Sequence, residues 1–446
     1  MNVVQQPLGE QTAVLKVEVS KSDYQDKVKK TLNDYRRKAN INGFRPGMAP
    51  MSMIQKMYGH SVLIDEINKL VSDALNDHIT NEKLNILGEP IPYEEGQPPI
   101  DWENQEDFEF NYEIGISPEI EVKLSKRDKL PKYVISVSEE DKQRQLENIM
   151  QRYGKFVDAE EAGEDDLLKV DLTQEGENVL NVEDTYISLK VLTDAKLKKP
   201  FIGKKVGDVV KVDAKKTFTN EADLAALLKV KKEELENINP KFTATIKEVR
   251  HFENAELNQE LFDKLYGEGV VTSEEEMMER IDGEIRRAYD EESEYKLLLD
   301  AKEKLIKKAK IDLAEDFLKR WLLIINEGKI TQEQIDQEFE HFADDLRWQL
   351  IKDSIGKAQE IKIEEPDIME HAKRMARYQF VQYGLNNMPD EHMENFAKRL
   401  LEDQKQLKGI VEKVYEDKVI GYVKNAVNLE EKEISIEDFG KLFEKK

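Results

Sequence analysis

The period of the apolar residues changes twice along the chain, and this restricts the fold to several domains of different texture. Residues 12–19 (TAVLKVEV) alternate as a strand. Tyr24, Val28, Leu32 and Tyr35 then form one helical stripe, with Ser20 or Ser22 placed to cap it. Helical spacing resumes at Met53 and Met57 and runs through Ile64, Ile67, Leu70, Val71, Ala74 and Leu75, before DFEFNYEIGI (107–116) alternates again. Strand, helices and strand make an α+β head over 1–115. A linker and a connecting helix opened by Ser138 occupy 116–151. Residues 152–250 contain the short strands LLKVDLTQEG, TYISLKVL, VGDVVKVDA and KFTATIKEV, which predict a β-rich domain. From 251 to 446 the pattern is helical. Ser273 and Glu276 form a capping-box pattern, and helices pass through Phe317 and Trp321, from Thr331 through Trp348, from Pro366 to Phe380 with Gly384 as stop, and from Pro389 to about Asn425. The fold class is therefore multi-domain α+β: an α+β head, a β-rich middle domain and an all-α C-terminal domain.

Function is narrowed first by what is missing. The 446 residues include no cysteine, so no disulfide, thiolate nucleophile or cysteine metal site is available. There is no P-loop, GxSxG, GxGxxG or HExxH motif, and the six histidines are scattered, so neither cofactor nor metal is expected. No basic-then-apolar signal segment and no run of 18 apolar residues is present, which points to the cytoplasm and away from a membrane. A net charge of −25 argues against general nucleic-acid binding. Yet residues 21–60 hold nine Lys or Arg against Asp23, Asp26 and Asp34, a local +6. That segment reads either as a solvated helix face or as a docking patch for a polyanion such as a ribosome. The pattern is that of a binding protein.

The loop Gly43-Phe44-Arg45-Pro46-Gly47-Met48-Ala49-Pro50 resembles the ribosome-binding signature of the trigger factor family, G-F-R-x-G-x-x-P. Tyr58-Gly59, the GEPIPYEEG region and the order of the three domains extend the resemblance over essentially the whole chain. It implies an ATP-independent chaperone that binds the large ribosomal subunit near the exit tunnel through Gly43, Phe44, Arg45, Pro46, Gly47 and Pro50. Its other partners would be nascent or unfolded polypeptides, and a second copy of itself in a homodimer off the ribosome. Physical chemistry gives the loop a reason. Glycines at 43 and 47 permit a tight tip, an exposed Phe44 is costly without a partner, and Arg45 can grip phosphate or carboxylate with two donors. Pro46 stands where the family often has a basic residue, which removes one charge and stiffens the loop.

The middle domain resembles the FKBP-type prolyl isomerase insert of that family. Rotation about an X–Pro bond faces a barrier of roughly 20 kcal/mol, which such domains lower with an aromatic cradle rather than a nucleophile. Residues 151–250 offer only Tyr153, Phe156, Tyr186, Phe201, Phe218 and Phe242, and the family's D-F-T-G is reduced to Asp171-Leu172-Thr173. Leu172, Tyr186, Phe201 and Phe218 are the candidate pocket residues, and isomerase activity is expected to be weak or absent. The rival readings are an active isomerase with an accessory chaperone role, and a periplasmic chaperone of similar build. In the helical half Met277, Met278, Met369, Met375, Met388 and Met393, with Phe317, Trp321, Phe339, Phe342, Trp348, Tyr378, Phe380 and Tyr383, are suited either to client contact or to plain helix packing.

Overall fold

The computed structural model describes residues 1–38, 40–42, 44–45, 47–176, 179–192, 194–218, 220–383, 385 and 388–444. The chain begins with β1 (Asn2–Pro7), β2 (Thr12–Val19), α1 (Lys21–Lys38), α2 (Met51–Asn81), β3 (Ile86–Pro92), β4 (Phe108–Ile116), β5 (Lys129–Ile135) and α3 (Glu139–Arg152). The middle holds β6 (Lys155–Asp158), β7 (Leu167–Gln174), β8 (Asn181–Ser188), α4 (Ala195–Lys198), β9 (Val209–Asp213), α5 (Ala214–Thr217), α6 (Glu221–Leu228) and β10 (Lys241–Glu253). Then follow α7 (Gln259–Tyr266), α8 (Glu274–Ala309), α9 (Glu315–Ile325), α10 (Gln332–Ala358), α11 (Glu365–Gln382), α12 (Asp390–Glu402), α13 (Gln404–Ala426), β11 (Asn428–Ile434) and α14 (Ile436–Glu444). None of the described helices is long and apolar enough to cross a membrane.

These elements fall into two compact units, each assembled from several stretches of chain. The first comprises 1–131, 297–368 and 404–430. Its antiparallel sheet has the order β1-β2-β4-β3. On one side of β4, Phe108, Phe110 and Ile114 pack with Ile67, Leu70, Val71 and Leu75 of α2. The other side is built for close approach. A Cβ at Gly115 would lie 2.8 Å from the Phe317 ring, and one at Gly88, whose φ is +73°, 2.8 Å from Trp321. Two side-chain-free positions thus let α9 lie against the sheet, where Phe317 joins Leu87, Ile91, Leu318 and Phe339 in a core. The prolines of GEPIP sit in β3, an edge strand that tolerates a missing N–H. A further core in this unit joins Leu305, Trp348, Ile351, Ile355, Val419 and Val423.

The second unit comprises 132–296, 369–403 and 431–446. Each of the four strands expected in its β-rich part overlaps one of β7 to β10, with the short β6 added. TYISLKVL, however, is strand only as far as Ser188: β8 starts earlier, at Asn181, and Leu189–Val191 form a 3-10 turn. β10 organises the sheet. One edge pairs with β7, and the other is shared between β9 toward its start and β6 at its end. Lys155 and Glu253 are register partners, so the chain enters and leaves this domain at adjacent points. Gly154 is required there, since a Cβ would meet the Glu253 carbonyl at 2.5 Å. Next to it, α3 starts with a Ser138/Asp141 capping box and packs Leu146 and Ile149 against Leu261, Phe262, Met277 and Ile281.

Several expectations change. The stretch 117–137, expected to be a plain connector, contains β5, which pairs with β11; Lys129 meets Glu430 across 301 positions of chain. The helix expected from Pro389 to Asn425 is two helices interrupted at Asp403, and the Thr331 helix continues past Trp348 to Ala358. Ser273 does accept the Glu276 N–H (3.2 Å), but the Glu276 carboxylate turns back to Thr272, accepting from its N–H (2.7 Å) and hydroxyl (2.9 Å). The stop assigned to Gly384 lies outside the described residues.

Candidate functional site

The tip of the head is a short link between α1 and α2. Gly43 and Pro46 lie outside the described residues. Around them the backbone turns by local bonds: Phe44 N–H donates to the Ile41 carbonyl (3.0 Å) and Met48 N–H to that of Arg45 (2.9 Å). Arg36 Nε–H donates to the Gly47 carbonyl at 3.2 Å, tying the link to the last turn of α1. Gly47 has φ +82°, and an added Cβ would meet nothing closer than 3.9 Å, so conformation and not crowding selects glycine. Ala49, only 4% exposed, plugs the link into a small core of Leu32, Ile54 and Val62. Pro50, with φ −60°, then sets the start of α2.

That scaffold leaves Phe44 and Arg45 exposed at the tip. It also exposes Met48, Met53 and Met57, at 68%, 39% and 53%. Sequence spacing put Met53 and Met57 on the apolar stripe of α2. The fully buried Ile54 and the inward Val62 carry that stripe instead, and the two methionines face out. The overlooked signal was the adjacent Ile54, which offers a helix only one inward place. A Tyr35–Tyr58 stack (5.4 Å) braces the base of the tip. Residues 35–64 contain no Asp or Glu, so Arg36, Arg37, Lys38, Arg45 and Lys56 act without a local acid other than Asp34, 3.7 Å from Arg37. An exposed aromatic, flexible methionines and unopposed cations together suit a partner presenting phosphate and apolar pockets.

In the middle domain the four candidate pocket residues do not share a surface. Leu172 and Phe201 are each 1% exposed inside the core, Phe218 packs partly buried against it, and Tyr186 is 49% exposed. The reason lies in β8. Asp184 adopts φ +51° as the ladder between β7 and β8 shifts register, so Val182, Thr185 and Ile187 point inward and Tyr186 outward. Outside, Lys169 bridges Asp184 (2.9 Å) and Glu248 (3.1 Å), and Lys247 meets Asp171 (2.8 Å). Hydrogen bonding to Asp184 and then Glu248 holds the Lys169 ammonium above its ordinary range.

A cleft of about 670 Å³ lies elsewhere in this unit, lined among others by Gln151 of α3, Phe156, Lys190, His251 and Phe252. Its floor is pinned by His251 Nδ1, 2.6 Å from a carboxylate oxygen of Asp166. Asp166 is 2% exposed and also accepts the Gly163 N–H at 2.7 Å. The hydrogen bond to Asp166 raises the His251 pKa above 6.5.

The helical candidates divide. Met277, Phe317, Phe339, Trp348 and Met393 are buried, whereas Met375, Tyr378 and Tyr383 are exposed; Met278, Trp321, Phe342, Met369, Phe380 and Met388 are half-buried. Among the described residues no group of three or more His, Asp or Glu is arranged to hold a metal ion.

Comparisons with known proteins follow the same division of the chain. A family model described as "Bacterial trigger factor protein (TF)" matches residues 1–149, "Probable trigger factor, FKBP-like domain" matches 156–254, and "Probable trigger factor, C-terminal domain" matches 293–443. The trigger factor of Desulfatibacillum aliphaticivorans is 23% identical, covering 98% of this chain and 99% of its own length. That of Agrobacterium fabrum is 25% identical over 95% of this chain and 86% of its own length. A solved structure described as "Promiscuous Substrate Recognition in Folding and Assembly Activities of the Trigger Factor Chaperone" shares the fold, with a TM-score of 0.50 and 18% identity over 95% of this chain and 99% of that one. With all three domain models matched in order along one chain, the protein belongs to the trigger factor family.

Proposed function

We propose that this protein is a cytoplasmic, ATP-independent chaperone that docks on the large ribosomal subunit beside the exit tunnel and shelters nascent or unfolded polypeptides. The observation that carries the reading is the tip of the head. Phe44, Arg45, Met48, Met53 and Met57 project from a braced helical hairpin in a tract without acids, on a chain that is otherwise strongly negative. Arg45 would grip RNA phosphate or an acidic side chain, Phe44 would enter an apolar pocket, and the methionines would adapt around it. Gly47 and Pro50 hold the geometry rather than supply contacts, and Gly43 and Pro46 complete the signature. Client segments would be held by several weak apolar contacts, so release needs no nucleotide hydrolysis. Off the ribosome, the same exposed apolar surface is available for a homodimer.

The middle domain is an accessory domain in this reading. Its candidate isomerase residues Leu172 and Phe201 are committed to the core, while Tyr186 faces away from them. The test is ribosome co-sedimentation. Phe44→Ala with Arg45→Ala should abolish pelleting with ribosomes and leave the thermal transition nearly unchanged. Undiminished pelleting of that variant would refute the assignment of this tip. Wild-type binding should also weaken as salt rises, since exposed cations are screened beyond about 8 Å at physiological ionic strength.

A further inference from the structure

Apart from 35–64, the longest stretch without Asp or Glu in this chain of 93 acids is 371–389. It carries Lys373, Arg374 and Arg377. The tract covers most of α11, and the helix has two unlike sides. Ala372 and Ala376, both 0% exposed, lie on the buried side, and Phe380 meets Phe396 of α12 at 5.3 Å. On the far side Met375, Tyr378 and Val381 recur every third residue and are 37%, 66% and 50% exposed. Tyr383 and Leu385 extend the stripe past the helix end, at 81% and 47%. An ordinary solvent face would carry Glu and Lys at these positions, and a continuous apolar stripe there marks a binding surface.

The charges beside the stripe are positive. Arg377 is exposed next to it, and Arg374 lies 3.1 Å from a ring nitrogen of His371. Of the acids on the facing helix α12 (Asp390, Glu391, Glu394 and Glu402), Glu394 is taken up by Lys373 (3.1 Å) and Lys398 (2.9 Å). We infer that the outward face of α11 captures unfolded segments whose apolar residues are flanked by acids. The inference rests on the chaperone reading and adds to it a class of client. Segments flanked by Lys or Arg are attracted to the acidic surface generally, while acid-flanked segments are repelled by it and gain only where the acids have been cleared. Met375, Val381 and Leu385 break up the two tyrosines of the stripe and give no flat face for stacking, which favours an apolar polypeptide segment over a run of bases.

The experiment uses the full chain and two fluorescent peptides with one apolar core (Leu, Tyr, Val), flanked by Asp and Glu in one and by Lys and Arg in the other. Anisotropy is read at 50 mM and 500 mM salt for wild type, Arg377→Glu, and the double variant Tyr378→Ser/Val381→Ser. Reversing Arg377 should weaken the acid-flanked peptide about five-fold at low salt and less than about two-fold at high salt, with no loss for the basic-flanked one. The double variant should weaken the acid-flanked peptide about ten-fold at both salts. An unchanged Kd in either variant overturns the inference, as does an RNA oligonucleotide that binds in place of both peptides and is lost on reversing Arg377. If wild type binds neither peptide and leaves an unfolded client to aggregate, the chaperone reading falls with it.

Discussion

Replacing Arg320 by leucine should loosen the attachment of α9 to the head sheet, and the structure sets the size of the effect. Glu113 sits on β4 with its side chain 2% exposed, and Arg320 closes on it in a bidentate pair with Nη–Oε distances of 2.6 and 2.8 Å. Each charge-assisted bond contributes about 1.5–3 kcal/mol where water is excluded. The guanidinium is 50% exposed, so solvent screens part of this. Loss of the pair also strands a buried carboxylate. A destabilisation of about 2–3 kcal/mol results, or about 4–12 °C for a cooperative unit of roughly 150–250 residues. Calorimetry or urea unfolding of the first unit would measure it. The control is Glu113→Leu with Arg320→Leu, which removes both charges and should recover most of the loss, because an apolar pair against Phe317 suits that interior. A cost below about 0.5 kcal/mol for Arg320→Leu, or a double variant as unstable as the two single effects added, would refute the reasoning.

Two further outcomes test the middle domain. Phe201→Ala should cost about 3–5 kcal/mol by leaving a core cavity, whereas Tyr186→Ala should stay within about 0.5 kcal/mol; proline-peptide turnover should be near background for wild type and Tyr186→Ala alike. His251 has a raised pKa in the folded state because of Asp166, so its contribution is complete below about pH 6.5 and is lost as the pH rises through that raised value. With the His251 side chain 54% exposed the change is under about 1 kcal/mol, and a melting series from pH 5.5 to 8.5 should show it in wild type and lose it in His251→Gln.

What the sequence made legible was local. The strands β2, β4, β7, β8, β9 and β10 announced themselves through alternation, and the Phe44-Arg45 tip through a short signature. What escaped depends on partners distant in the chain. β5 is a strand only because β11 lies beside it. The lack of a side chain at Gly88 and Gly115 gains its reason only from Trp321 and Phe317, more than 200 positions away, which fill the space these glycines leave. Phe201 offered itself as a pocket wall because its type fits, yet the fold spends it on the core. In β8 a single residue at positive φ, Asp184, shifts the alternation and sends Tyr186 outward.

The placement of acids is the feature that joins the head to the helical segments. A chain with a net charge of −25 repels polyanions and acidic peptides by default. Any surface meant to hold them must therefore be cleared of acids over a distance comparable to the screening length, about 8 Å, or roughly one and a half helical turns. Clearing a helix face to that extent takes a long tract, because residues within four positions share neighbouring surface. The two longest acid-free tracts, 35–64 and 371–389, are also where Phe44, Met48 and Met57 in one, and Tyr378, Val381 and Tyr383 in the other, are left in solvent. Apolar exposure without acids at both places is what selection for binding would leave. Selection for packing would have buried these side chains, as it did Phe317, Phe339 and Trp348.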